Sequence, residues 1–278
     1  MSKRPQQPLR LACAALGLFA LLTAACGSTS TATPPRPVPG SFPVTIAASN
    51  GTVHIAARPH AIVSLSPTAT EMLYAIGAGS QVKAVDKDSD YPKGVPRTNL
   101  DGFQPNVEAI AAYKPDLVVE AGDTGDLTQH LGALGIPVLS LPAANTLEDT
   151  YNQLAQLGLA TGHVSQAAKE VATMKTQIAS VIRSVPKAHG QVTYYYELDP
   201  TYYSVTSSTF IGNTLSLLGL TNIADSASGA AASGGYPQLS SEFIVQADPD
   251  FVFLADTLCC GQDAATVATR PGWSTMKA

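Results

Sequence analysis

No stretch of this sequence places cysteine or histidine where a metal ion would need them. The five histidines, His54, His60, His130, His163 and His189, include no HxxxH pair, and no CxxC occurs anywhere. Neither a zinc knuckle nor a His-cluster metal site is expected. Catalytic signatures are missing too: there is no GxSxG elbow, no GxxxxGKS/T phosphate loop and no HExxH, and GAGSQV at 77–82 is not a GxGxxG turn. No catalytic residue and no cofactor is assigned. Basic residues are in deficit, 16 Lys and Arg against 21 Asp and Glu, which argues against nucleic acid as a partner, because phosphate binding requires a basic face. Long hydrophobic runs are lacking as well. The most apolar segment, LACAALGLFALLTAAC at 11–26, falls short of the roughly 20 apolar residues that span a bilayer.

That segment nevertheless has a recognisable form. Lys3, Arg4 and Arg10 precede a short apolar core that ends in Ala24, Ala25 and Cys26, the pattern of an export signal. Cysteine directly after two alanines resembles a bacterial lipoprotein signal, in which Cys26 becomes the acylated first residue. Thr23 stands where that pattern more often has Leu, and an ordinary secreted protein with an incidental cysteine is the alternative. Residues 26–43, with four prolines in GSTSTATPPRPVPGS and no apolar periodicity, read as a flexible tether. Without residues 1–25, which carry three basic and no acidic residues, the formal charge moves from −5 to −8. Cys13 leaves with the signal. Cys259 and Cys260 are then the remaining pair, open to a vicinal disulfide or to two free thiols.

The body that follows repeats itself. NVEAIAAYKPDLVVEA at 106–121 returns as SSEFIVQADPDFVFLA at 240–255. In each, a Glu is followed by six residues, then Pro-Asp, then an apolar run, so that Glu108 matches Glu242, Pro115 matches Pro249 and Asp116 matches Asp250. The correspondence extends upstream, Ser66 to Ser208 and Gly77 to Gly219. Short apolar runs alternate with helical stretches from Ala61 onward, which predicts parallel strands joined by helical crossovers. AIVSLS, QVKAV, DLVVEA and IPVLSL are expected strands, and TATEMLYAIGAG, NVEAIAAY and DTGDLTQHLGALG expected helices. Between the copies, VSQAAKEVATMKTQIASVIRSV reads as one stiff helix of about 33 Å at 1.5 Å per residue. After Pro186 the pattern restarts with QVTYYYEL and TYYSVTS as strands, two helices, and DFVFLAD as a strand. The predicted fold class is therefore α/β, with two Rossmann-like lobes of parallel sheet on one long helix. The expected limits are a signal at 1–25, a tether at 26–43, an N-terminal lobe at 44–160, a linking helix at 161–186 and a C-terminal lobe at 187–278. About 28 residues follow Asp250, against about 44 after Asp116 in the first copy, so the second lobe reads as truncated.

Two such lobes enclose a cleft, the usual place for a ligand. Glu108 and Glu242 open their helices at equivalent positions. An acid in a first turn complements the helix dipole and needs no other role, but the matched pair suggests two prongs. Glu71 is assigned instead to a capping box begun by Thr68. Five of the ten tyrosines lie in YYYELDPTYY at 194–203. Tyr194 and Tyr196 share one strand face and Tyr195 takes the other. Beyond the turn, Tyr203 is a candidate cleft residue, and so are Tyr91 and Tyr236, each in a turn-rich loop.

With IVSLSPTATEMLYAIGAG, VDKDSDYP, NVEAIAAYKPDLVV, the linking helix, YPQLSSEFIVQADPDFVF and RPGWSTMKA in view, residues 60–278 resemble the substrate-binding proteins of ABC transporters for cobalamin and iron–siderophore complexes. The resemblance implies a metal-chelate ligand sandwiched between the lobes, with Tyr91 and Tyr236 among its cleft aromatics. It also implies that Glu108 and Glu242 dock on arginines of an ABC permease that works with its ATPase. The protein would then sit outside the cytoplasm, held to the bilayer by acylated Cys26, with any cobalt or iron arriving inside the ligand. Cobalamin binders of this kind often line the cleft with tryptophan, and here the single one is Trp273. Siderophore, haem and oxyanion ligands therefore stay open, as do a surface α/β enzyme acting on a chelate and a signalling or adhesion receptor.

Overall fold

The computed structural model describes residues 41–186 and 190–278, which fall within one compact unit, Val38–Ala278. The export signal, Cys26 and residues 26–40 of the tether lie outside the described residues. Where the description begins, Phe42 already packs against an apolar core. A hairpin follows, β1 (Val44–Ala48) and β2 (Gly51–Ile55), paired antiparallel. The sequence reading began its periodic pattern at Ala61 and missed it. The signal was present: apolar residues alternate around Asn50 and Gly51, a common hairpin turn, and Ile46, Val53 and Ile55 point into the core.

The first parallel sheet comprises β3 (Ile62–Ser64), β4 (Val82–Val85), β5 (Leu117–Glu120) and β6 (Val138–Ser140), in the order β4-β3-β5-β6. Its crossovers include α1 (Pro67–Ala75), α2 (Val107–Ala111) and α3 (Leu127–Ala133). Consecutive strand residues point to opposite faces, and both faces are covered. Ile62, Leu117, Val119 and Leu139 join one apolar cluster, while Val63, Val118 and Val138 join another. Covering on both sides is why β5 reads as an unbroken apolar run rather than an alternation.

Pro67 occupies the first helical position of α1 and Ser66 caps it, its hydroxyl accepting from the Ala69 N–H. This corrects the capping box assigned to Thr68 and Glu71. Proline, with φ already suited to a helix start, begins the helix two residues earlier than that box requires, and Glu71 is left exposed. The capping box that does form is Thr146 with Asp149, at the head of α4 (Leu147–Thr161). Gly162, at φ 74°, ends α4, and α5 (Val164–Ser184) follows with 21 residues. Only the first part of α5 is packed on the N-terminal core, through Ala167, Val171 and Met174.

The second sheet has β7 (Val192–Glu197) at its centre, flanked in parallel by β8 (Leu220–Asn222) and β9 (Phe251–Leu254). With it go α6 (Phe210–Ser216), α7 (Ser241–Ala247), α8 (Thr257–Cys260) and α9 (Ala264–Ala268). Tyr194 and Tyr196 both pack on Phe253, whereas Tyr195 turns to Trp273, as the alternation of a strand requires. TYYSVTS is not the strand expected of it. Tyr202 has φ 70°, outside the extended region, and only Tyr203 forms a bridge, to Gln238. The Asp199 carboxylate takes the Thr201 N–H at 2.8 Å, and that side-chain bond favours a turn over a ladder.

The repeated Pro-Asp has a structural cause. After its helix, each copy places a residue in the left-handed region six positions past the glutamate, Lys114 at φ 50° and Asp248 at φ 46°. The aspartate two residues on then ties the incoming strand to its neighbour. Asp116 accepts from the N–H groups of His60 and Ala61 at 2.8 and 2.9 Å. Asp250 accepts from the Thr193 N–H at 2.8 Å and from its hydroxyl at 3.0 Å. Those bonds hold the Asp250 carboxyl below the usual carboxylate range.

Candidate functional site

Glu108 and Glu242 stand at the second position of α2 and α7, and both are exposed. Each helix is capped from the residue two places earlier. Asn106 accepts from the Ala109 N–H at 2.9 Å, and Ser240 from the Phe243 N–H at 3.1 Å. Neither carboxylate has a hydrogen bond or ion pair with another described residue, so both are free to meet a partner.

The three tyrosines chosen from the sequence fall into two places. Tyr91 is 63% exposed and lines a cavity of about 610 Å³ with Thr68, Glu71, Met72, Tyr74 and Met174 among its walls. The loop carrying Tyr91 is anchored from beneath. Thr70 of α1 donates to the Ser64 hydroxyl at 2.9 Å and shares a hydrogen bond with Ser89 at 3.0 Å, while the Asp86 carboxylate accepts from the Ser89 N–H. Tyr203 and Tyr236 lie in the C-terminal half, on two segments joined by Ser204 N–H to Pro237 O and Thr206 N–H to Gly235 O. The structure brings these two near each other and puts neither in the cavity of Tyr91, whose walls come from the N-terminal half and α5.

Sequence reasoning passed over Phe103, which is 79% exposed in the loop entering α2. The Asp101 carboxylate accepts from the N–H groups of Phe103 and Gln104 and pairs with Lys87 at 2.6 Å, which holds that carboxyl below its ordinary range. Gly102 lets the loop fold against β3, since a Cβ there would strike the Leu65 carbonyl oxygen. The rule that selected Tyr91 and Tyr236, an aromatic in a Gly- and Pro-rich loop, applies equally to Phe103.

A second group that was passed over is charged and buried. Glu197, at the end of β7, has no exposed surface and takes both amino groups of Arg270, at 2.6 and 2.7 Å. The Tyr195 hydroxyl donates to the same carboxylate at 3.2 Å, and burial pushes its own pKa upward. Next to them, Asp256 is fully buried with neither oxygen hydrogen-bonded to another described residue, and burial raises its carboxyl above the usual range. Glu120, at the end of β5, resembles it. It is buried, its Oε1 has no partner, and burial raises it as well. Burial similarly pushes the Tyr194 hydroxyl up to about 12, against a bond from Asn222 that lowers it. Among the described residues, no group of three or more His, Cys, Asp or Glu side chains is arranged to hold a metal ion, and no helix is long and apolar enough to cross a membrane. Cys259 and Cys260 form a disulfide with each other.

Two parallel α/β halves bridged by a single helix, each presenting a free first-turn glutamate, make a bilobal binding protein. Residues 62–278 match the family described as periplasmic binding protein. The chain is 31% identical to the Bacillus subtilis protein named uncharacterized ABC transporter substrate-binding lipoprotein YvrC, over 95% of this chain and 85% of that one. It is 33% identical to a cobalamin-binding protein of Halobacterium salinarum over 76% of this chain, and spans 58% of that longer relative. Among solved structures, a possible iron-binding periplasmic solute-binding protein of Staphylococcus epidermidis superposes with a TM-score of 0.68 at 27% identity. That match covers 79% of this chain and 86% of the other. The chain belongs to the periplasmic binding protein family.

Proposed function

We propose that this protein captures a metal-chelate nutrient, a cobalamin or a ferric siderophore, outside the cytoplasm and hands it to an ABC permease and its ATPase. In this reading the N-terminal lobe is 44–160, the linking helix 161–186 and the C-terminal lobe 187–278, with the ligand meeting Tyr91, Tyr203 and Tyr236. The cobalt or iron travels within the ligand, and the protein binds without covalent chemistry. Acylated Cys26 holds it to the bilayer, a reading supported by the lipoprotein name of the Bacillus subtilis relative. A cobalamin-type ligand is supported by the name of the Halobacterium relative.

The observation that carries the docking part is the equivalence of Glu108 and Glu242: the same helical position, the same cap geometry, the same exposure and the same Pro-Asp pin behind. Each carboxylate pairing with a cation on the permease is worth about 2 kcal/mol or more, so losing both weakens docking on the order of a thousandfold. Glu108→Ala combined with Glu242→Ala is expected to abolish uptake and leave ligand affinity unchanged. Titration of tyrosine fluorescence with cobalamin, ferric hydroxamates, ferric catecholates and haem supplies that affinity and identifies the ligand. A double variant that transports normally would refute the docking role, and binding to none of the panel would refute the ligand class.

A further inference from the structure

The segment that follows α9 lies along α7 and touches it at both ends and in the middle. Trp273 donates its indole N–H to the Ser241 hydroxyl, at 3.2 Å, on the first residue of the helix. Gly272, at φ 81°, sits so close that a Cβ would come within 3.3 Å of Val245. Lys277 gives its backbone N–H to Asp248 at 2.8 Å, at the end of the helix, and its ammonium group pairs with the same carboxylate.

Trp273 is itself held from the sheet. It is 4% exposed, packs edge-on against Tyr195, and has the Arg270 guanidinium 4.5 Å from its ring centre. Arg270 in turn is fixed by Glu197 and accepted by the Gln262 side-chain oxygen at 2.8 Å. A continuous path thus runs from the end of β7 through Glu197, Arg270 and Trp273 to Ser241, the residue before Glu242. On the open side of α7 lies a cavity of about 460 Å³ lined by Tyr202, Ser241, Glu242, Val245, Gln246 and Pro271. Glu242 and Gln246, four apart, share one helix face, and no basic residue lines the space.

We propose that Trp273 is a positioning residue for Glu242: its bond to Ser241 fixes the first turn of α7, and with it the carboxylate at the edge of this cavity. Tyr202, another wall of the cavity, has the Arg270 guanidinium 5.2 Å from its ring centre, so the same arginine braces both Trp273 and the cavity wall. The cavity beside α2, about 300 Å³, is lined by Asn99, Leu100, Ala109, Ala112 and Tyr113 and does not include Glu108. The two glutamates therefore differ, and the one that lines a cavity is in the C-terminal half. This inference rests on the docking role of Glu242.

The test measures the affinity of the unliganded, full-length protein for its permease–ATPase complex in lipid nanodiscs. Trp273→Phe keeps an aromatic ring and removes the N–H, and Ser241→Ala removes the acceptor. Each is expected to weaken docking roughly three- to tenfold, the range of one net hydrogen bond, and the two together no more than either alone. In a Glu242→Ala background, Trp273→Phe is expected to have no further effect. A merely structural role would persist in that background. If Trp273→Phe weakens docking equally in both backgrounds, or in neither, the positioning role is overturned. If Trp273→Phe does not fold, Ser241→Ala gives the same reading from a half-exposed site. If Glu242→Ala itself docks normally, the docking role of the acid has failed and the positioning role falls with it.

Discussion

The N-terminal sheet is buried on both faces by aliphatic side chains, with Ile62, Val63, Leu117, Val118 and Leu139 all fully covered. The C-terminal sheet shares its parallel plan and its strand pins, but its interior is aromatic and charged. One apolar cluster includes Tyr195, Ile244, Val267 and Trp273, and an ion pair is closed over the end of β7. Its edge strand β9 is open enough that Phe251 is half exposed. Duplication of a backbone plan has therefore not duplicated the forces that hold it. Aliphatic burial is non-directional and tolerates small shifts, whereas the pair of Glu197 and Arg270 demands fixed geometry because each charge is costly when left alone in the interior. The half with the more directional interior also carries the cavity that Glu242 lines.

The contrast can be broken most forcefully at Arg270. Arg270→Met leaves Glu197 buried and unpaired, at an expected cost of about 3–5 kcal/mol. Urea unfolding followed by the single tryptophan, Trp273, is expected to show the C-terminal half melting well before the bulk far-UV signal. Coincident transitions would mean that the halves are not separable. Leu73→Ala is the complementary test in the N-terminal core. Leu73 is fully buried, and a cavity there costs about 2–5 kcal/mol. The far-UV midpoint is expected to fall while the Trp273 midpoint holds, reversing the order of loss.

The smallest effect is expected at Asp256. Its carboxyl is raised in the folded protein, so its ionisation opposes folding. The protein therefore loses stability as pH rises from about 3.8, the ordinary aspartate value, through the raised folded value, and the loss is complete above it. Asp256→Asn removes that penalty. Its melting temperature is expected to match the parent in acid and to exceed it by a few degrees at neutral pH, about 1 kcal/mol for a chain of this size. A gap that does not widen with pH would place the ionised carboxylate in better company than its lack of hydrogen-bond partners implies.

Much of this was legible in the sequence. The alternation of apolar runs with helical stretches located β3 to β7 and β9, and α5 falls where one long amphipathic helix was expected. Glu108 and Glu242 were found by their repeat and not by any property of their own, because an exposed first-turn acid is common. The missed features have different causes. The hairpin of β1 and β2 was obscured by its position next to a proline-rich segment, although Asn50 and Gly51 announced it. Tyr202 and its neighbours have the composition of a strand, but Asp199 draws the backbone into a turn. Glu197, Asp256 and Arg270 look like ordinary surface charges when read along the chain, since no local pattern marks a charge whose partner is 73 residues away.

The sequence by itself determined the order of elements, the twofold repeat and the position of the two glutamates, because hydrophobic period and Pro-Asp turns are local and are written where they act. Only the tertiary structure decided which charges are buried, that the interior of the C-terminal half is ionic and aromatic, and that Trp273 bonds to Ser241 at the head of α7. Those facts depend on contacts between residues distant in the chain, and burial is a property of the packed whole that no single segment carries.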